Sequence, residues 1–204
     1  HIAKFGKPMI VSTGMNTIDT IRRTVNILEK HNIEYALLHC TNVYPTPANL
    51  VRLGAMKELE KEFPNAIIGL SDHTTSILTP ALAVAAGAKV IEKHYTLDRN
   101  LQGPDHPFAL EPNELKGMIN NIVSAEQMMG TVKGEYSDSE VNFTKARRSV
   151  VAKTNIKKGE ILTIDNITTK RPYLEGNISA SEWHSILGQV ASKDYMEDEF
   201  ICKK

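Results

Sequence analysis

Two short apolar runs, each stopping at a histidine, set the frame for this chain. AIIGLSD leads into His73 within GLSDHT (69–74), and KVIEKHY carries His94 within VIEKHYT (90–96). The segment between them, ILTPALAVAAGA (77–88), is Ala-rich and reads as a buried helix. Strand, helix, strand at this spacing is a β-α-β unit, the element of a parallel sheet. In such sheets chemistry collects at the carboxyl ends of the strands. Two histidines on successive strand ends can therefore hold one metal ion between them.

The same alternation runs through the preceding sequence and one step beyond. PMIVST (8–13) reads as a strand ending in a Ser-Thr-Gly turn. TIDTIRRTVNILEKHN (17–32) reads as a helix with Ile18, Ile21, Val25 and Leu28 on one face and Asn16 or Thr17 as its N-cap. YALLHC (35–40) is the next strand, and Pro45 and Pro47 break the loop after it. NLVRLGAMKELEKEF (49–63) is a second helix. EPNELKGMINNIVSAEQMMG (111–130) is the last, with Pro112 in its first turn and Gly130 at its end. Four consecutive β-α units make half of a (β/α)8 barrel, whose usual size is about 250 residues. An open, doubly wound four-stranded sheet also fits the pattern. The uniform alternation favours the second half of a TIM barrel over 1–130, its first half lying outside this chain.

From 131 the character changes. Residues 131–147 are polar and read as a linker. Residues 148–204 carry short β runs over 149–172, a Lys158-Gly159 turn, and one or two helical turns with a last strand over 180–201. These 57 or so residues predict a small β-rich domain, marginal by itself on size grounds.

Composition narrows the function. Lys+Arg and Asp+Glu are both 24, which argues against a nucleic-acid or anionic-membrane partner. No apolar run approaches the roughly 20 residues of a membrane span, and HIAKFGKPM has no signal-peptide core. Cys40 and Cys202 are far apart and in no metal spacing, so free thiols in a reducing cytoplasm are expected.

Strand parity sharpens the candidate site. Residues two apart on a strand share a face, so Ser71 goes with His73 and Glu92 with His94. Imidazole suits Zn, Mn, Fe or Co, and open positions leave room for substrate oxygens. A lone histidine at a strand end is more often a satisfied polar residue. Two on successive ends, with Ser71, Asp72 and Asp105 nearby, weigh against that. Lys93 offers another chemistry, a Schiff base with a carbonyl substrate, but on a regular strand Lys93 and His94 face opposite ways. His39 and Cys40 read as packing or capping residues. The hydroxyls and amide of Ser12-Thr13-Gly14 and of the 39–47 loop suit phosphate or carboxylate oxygens. The Lys-Gly turn at 156–160 reads as a solvated turn.

With these residues in view, STGM (12–15), LHCTNVYPTP (38–47), GLSDHT (69–74), EKHYTLD (92–98), GPDH (103–106) and RRSVVAKTNIKKGE (147–160) resemble the sialic acid synthase family along essentially the whole chain. The resemblance implies a TIM barrel followed by a small antifreeze-protein-like (SAF, β-clip) domain. It implies condensation of phosphoenolpyruvate with an N-acetylated amino sugar, typically N-acetylmannosamine, to a nine-carbon 2-keto acid with loss of phosphate. It further implies a divalent cation, most often Mn2+ with Mg2+ or Co2+ also compatible, and a homodimer in which each small domain covers the other subunit's barrel. Carried over by motif, His73 and His94 are the metal ligands. Ser12, Asn42, Tyr44 and Ser71 line the substrate site. Asp105 binds sugar hydroxyls or the metal's water, with a proton-relay role open to it, and Arg171 reaches the partner's site. The family's Glu-Ile-Gly segment with its catalytic glutamate, its Asn-His pair and its phosphate-holding lysines have no counterpart here, so the chain alone is expected to be inactive. Two alternatives stand beside this reading: a Schiff-base aldolase using Lys93, and a non-catalytic sugar-binding or dimerising module.

Overall fold

Alternation between the two faces of four short strands organises the first unit. The computed structural model describes residues 1–130 and 136–203, and they divide into two compact units at the end of the last long helix. In the first unit β1 (Met9–Ser12), β2 (Tyr35–Cys40), β3 (Ile67–Asp72) and β4 (Val90–Lys93) form one parallel, curled sheet in sequence order. The register aligns Ser12 with Leu38, Cys40 with Ser71, and Ser71 with Glu92. One set of side chains (Met9, Val11, Tyr35, Leu37, Ile68, Leu70, Ile91) points outward into the core beneath the helices. The other set includes Ile10, Ser12, Cys40, Ser71 and Glu92 on the concave face, where Ile10 and Ile67 are exposed.

Helices α1 (Ile18–Lys30), α3 (Ala55–Glu62) and α4 (Thr79–Ala85) bring Ile21, Val25, Leu28, Met56, Leu59 and Ala83 to that core. Thr17 is the N-cap of α1, its hydroxyl accepting from the Thr20 amide. Helix α5 (Pro112–Met129) starts on a reciprocal Glu111–Glu114 cap with Pro112 at its first position and packs on α4.

The single helix expected over 49–63 is two. Helix α2 (Ala48–Val51) ends at Arg52, which takes a left-handed conformation (φ 50°, ψ 49°), and α3 begins three residues later. The cause lies on β2 and just past it. Thr41 Oγ1 donates to the Leu50 carbonyl and His39 Nε2 to the Val51 carbonyl at 2.7 Å, so these two acceptors are taken by side chains.

In the second unit β5 (Ser149–Ala152) pairs antiparallel with β6 (Ile167–Lys170). Isolated bridges such as Ile156–Tyr195 and Val151–Phe200 replace a regular last strand. A short α7 (Trp183–Ile186) helps close a core of Val150, Ile156, Leu162, Ile167, Tyr195 and Ile201. The Lys158-Gly159 turn is a solvated turn as expected, with Gly159 at φ 93° and the Lys158 amide donating to Asp194. Of the polar linker, 131–135 lies outside the described residues. The remainder contains a helical turn, α6 (Asp138–Val141), capped by Ser137 and Glu140, and a 3-10 turn at Thr144–Ala146. Among the described residues no helix is long and apolar enough to cross a membrane.

Candidate functional site

The carboxyl ends of β2, β3 and β4 bring His73, His94 and Tyr44 together. The two imidazole centroids are 5.3 Å apart, and the Tyr44 ring lies 4.0 Å from that of His73. Phe108, in the 3-10 turn that follows Asp105, packs its ring 4.9 Å from His94. Strand parity thus works as expected: Ser71 Oγ donates to Glu92 Oε1 at 2.6 Å on the concave face, below the two histidines.

The hydrogen bonding of His73 fixes what it offers. Its Nδ1 is 2.9 Å from the Thr41 carbonyl, an acceptor, so Nδ1 carries the proton and Nε2 keeps its lone pair. A ligating imidazole is ordinarily held in this way by its other nitrogen. His94 Nδ1 lies 3.8 Å from Asp105 Oδ2. Among the described residues no group of three or more His, Cys, Asp or Glu side chains is gathered to hold a metal. Two imidazoles would suit a borderline divalent ion that takes oxygen ligands at its other positions.

Around this pair the other candidates take definite places. Ser12 ends β1 with Gly14 two residues on. A Cβ on Gly14 would fall 1.9 Å from Asn42 Oδ1 and 2.9 Å from Cys40 Sγ, so a larger residue there would have to displace these two side chains. Asn42 Oδ1 also accepts from the Cys40 thiol at 3.1 Å. Burial pushes that thiol's pKa up, with Ser71, Ser12 and the Gly14 backbone opposing. The Tyr44 hydroxyl is pushed up too, by desolvation first and then by Cys40, Asp105 and Glu92. Asp105 is largely exposed at the rim. Arg171 lies just past β6, in the second unit.

Lys93 does not fit the Schiff-base alternative. Its ammonium points to the helix side of the sheet, 2.6 Å from Asp72 Oδ2 and bonded to the Thr74 carbonyl, with the side chain 4% exposed. Burial draws its pKa down while Asp72 opposes, and the amine is not on the concave face. His39 is a structural residue, as expected. Sequence reasoning missed Phe108, the Thr41 carbonyl and the Ser71–Glu92 bond. Phe108 follows Asp105 by only three residues, and Glu92 shares a strand face with His94, so both left a signal. A backbone carbonyl leaves none.

Residues 1–134 match the NeuB family, and residues 147–203 match the SAF domain. The chain belongs to the NeuB family. It is 45% identical over 204 residues to an N,N'-diacetyllegionaminic acid synthase of Campylobacter jejuni, covering 98% of this chain and 60% of that protein. It is 39% identical to the human N-acetylneuraminate-9-phosphate synthase, over 82% of this chain and 47% of that one. The crystal structure of an N-acetylneuraminic acid synthetase from Leptospira borgpetersenii in complex with citrate superposes with a TM-score of 0.64. That match is at 37% identity and covers 70% of this chain and 50% of that one. The chain spans about half to three fifths of the length of these relatives.

Proposed function

We propose that this NeuB-family chain is the site-bearing part of a sugar-acid synthase that condenses phosphoenolpyruvate with an N-acetylated amino sugar. The product is a nine-carbon 2-keto acid, and inorganic phosphate is released. The observation that carries the reading is the pair of converging imidazoles, His73 with its Nε2 left free by the Thr41 carbonyl, at the carboxyl end of a parallel sheet. The synthase names of its relatives support it.

In this reading His73 and His94 hold a divalent cation, Mn2+ first and Mg2+ or Co2+ next, which supplies Lewis-acid polarisation of the sugar aldehyde. Ser12 and Asn42 hydrogen-bond the phosphate or carboxylate oxygens of phosphoenolpyruvate and set its methylene carbon beside the aldehyde, while Ser71, its proton held by Glu92, lines the floor of the site. The carbon–carbon bond forms, the enol carbon takes up water, and phosphate leaves the resulting tetrahedral centre. Tyr44 packs against the sugar. Asp105 accepts hydrogen bonds from the sugar's hydroxyls and relays a proton. The proposal extends to a complete TIM barrel with a β-clip SAF domain. It also extends to a cytoplasmic homodimer in which Arg171 of one subunit reaches the other's barrel.

The test is phosphate release by the full-length protein from phosphoenolpyruvate and N-acetylmannosamine or a related amino sugar. Release should depend on added Mn2+ and disappear with a chelator. His73→Ala and His94→Ala should each lower kcat/KM at least about a hundredfold, since polarisation by a metal is worth several kcal/mol. Full activity in either variant would remove that residue from the metal site.

A further inference from the structure

Resting on the metal site of the synthase reading, we infer that Phe108 is a positioning residue whose ring sets the direction of the His94 imidazole. The two histidines are held by different means. His73 is fixed by a hydrogen bond, its Nδ1 donating to the Thr41 carbonyl at 2.9 Å. His94 has its Nδ1 3.8 Å from Asp105 Oδ2, beyond hydrogen-bond reach, and the Asp105 side chain is 66% exposed at the rim. What stands close against the His94 ring is Phe108, with centroids 4.9 Å apart and planes at 61°, an edge-to-face contact. Tyr44 lies edge-on to His94 at 6.0 Å, and the Tyr44 and Phe108 rings are 5.6 Å from one another. His94 therefore sits in a corner between two aromatic rings.

The place of Phe108 is itself built by the backbone. After β4 the chain leaves as a loop and returns beside the strand end. The Leu110 amide donates to the His94 carbonyl at 2.9 Å, and the Thr96 amide donates to the Leu110 carbonyl at 2.9 Å. This parallel bridge of Tyr95 to Leu110 ties the returning segment to the backbone that carries His94. Leu110 is fully buried and anchors the tie. Earlier in the loop His106 Nδ1 and Thr96 Oγ1 are hydrogen-bonded at 2.7 Å. Phe108 lies between these two ties and is 8% exposed, so its ring has little freedom to leave His94. A side chain packed in this way has lost its rotamer freedom on folding, and that entropy is not lost again when a ligand binds. The carboxyl end of β4 and its return loop thus give the imidazole by packing what Thr41 gives His73 by a hydrogen bond.

The experiment titrates the full-length protein with Mn2+ alone, by calorimetry, for the wild type, Phe108→Leu and Phe108→Tyr. Leucine is used rather than alanine because it keeps the bulk under the loop and removes the ring. Support of a ligating imidazole is ordinarily worth about 10- to 100-fold in metal affinity, so Phe108→Leu should raise the Mn2+ dissociation constant about tenfold or more. Phe108→Tyr, which restores a ring, should stay within about threefold of the wild type. In phosphate release from phosphoenolpyruvate and N-acetylmannosamine, Phe108→Leu should need more Mn2+ and approach the wild-type kcat once Mn2+ is saturating. A residue that only supports the loop, or only touches the sugar, does not give that recovery. Unchanged Mn2+ affinity in Phe108→Leu overturns the inference. So does an equal loss in Phe108→Tyr, because the ring is then not what holds His94, and so does a loss of turnover that saturating Mn2+ does not restore. A wild type that binds no Mn2+ overturns the metal site of the synthase reading, and the role of Phe108 with it.

Discussion

Two buried histidines, His39 and His73, illustrate how one hydrogen bond separates structure from chemistry. In His73 the proton sits on Nδ1 and Nε2 is free; in His39 it is Nε2 that is spent, on the Val51 carbonyl at the break between α2 and α3. Burial lowers the pKa of His39 from its ordinary value, with the Val51 bond opposing and Arg52 lowering it further. A group held below its unfolded pKa contributes stability above that pKa, and the contribution is lost as pH falls. The unfolding midpoint in urea should therefore drop between about pH 7 and pH 5 by more in the wild type than in His39→Gln. Equal pH dependence in the two proteins would remove His39 as a source. Glycine imposes a harder limit at Gly69, where an added Cβ would stand 2.4 Å from the Val90 carbonyl oxygen and 2.5 Å from Leu38. The nearest of these is backbone of the paired strand, so β3 and β4 must part. Gly69→Ala should cost about 1–3 kcal/mol, read by chemical denaturation. Gly54→Ala, with open space at its Cβ, should stay within about 1 kcal/mol of wild type. If Gly69→Ala is as well tolerated as Gly54→Ala, the close approach does not limit the sheet.

At the scale of elements, the buried Asp72–Lys93 pair ties the end of β3 to β4 one residue before His73 and His94. Asp72 also accepts from the amide and hydroxyl of Thr74, so its carboxylate organises the turn that carries His73. Removing one partner leaves a charge in the core. Lys93→Met should cost roughly 3–5 kcal/mol, and Asp72→Leu with Lys93→Met should recover most of it. Borohydride with pyruvate should leave no adduct on Lys93, and an adduct there would restore the aldolase alternative. This arrangement was half legible beforehand. A period of two along AIIGLSD and KVIEKHY assigns Ser71, His73, Glu92 and His94 to one face and Lys93 to the other, because strand geometry leaves no freedom. The break of the second helix at Arg52 was not legible. It depends on His39 and Thr41 reaching across to the Leu50 and Val51 carbonyls, a contact between segments that local periodicity cannot carry. The same is true of Phe108 closing on His94, which needed the loop after β4 in three dimensions.

At the scale of the molecule, two hydrophobic clusters with no residue in common account for the two family matches. One runs from Ala3 to Ile91 under the helices of the parallel sheet, and the other from Val150 to Ile201 within the SAF match. The chain's single tryptophan, Trp183, packs against the second cluster, so its fluorescence reports the state of that unit. Far-ultraviolet circular dichroism is weighted toward the first unit, which holds α1 to α5. Leu37 and Ile156 are both almost fully buried, and truncating either should cost about 2–5 kcal/mol through lost transfer energy and the cavity left behind. Because each cost falls on the cluster that loses the atoms, Ile156→Ala should lower the denaturant midpoint seen by tryptophan fluorescence. Leu37→Ala should lower the midpoint seen in the helical signal and leave the fluorescence transition where it is. If Leu37→Ala displaces the fluorescence transition as far as Ile156→Ala does, the two cores unfold as one cooperative body, and the SAF unit draws its stability from the barrel segment rather than from its own interior.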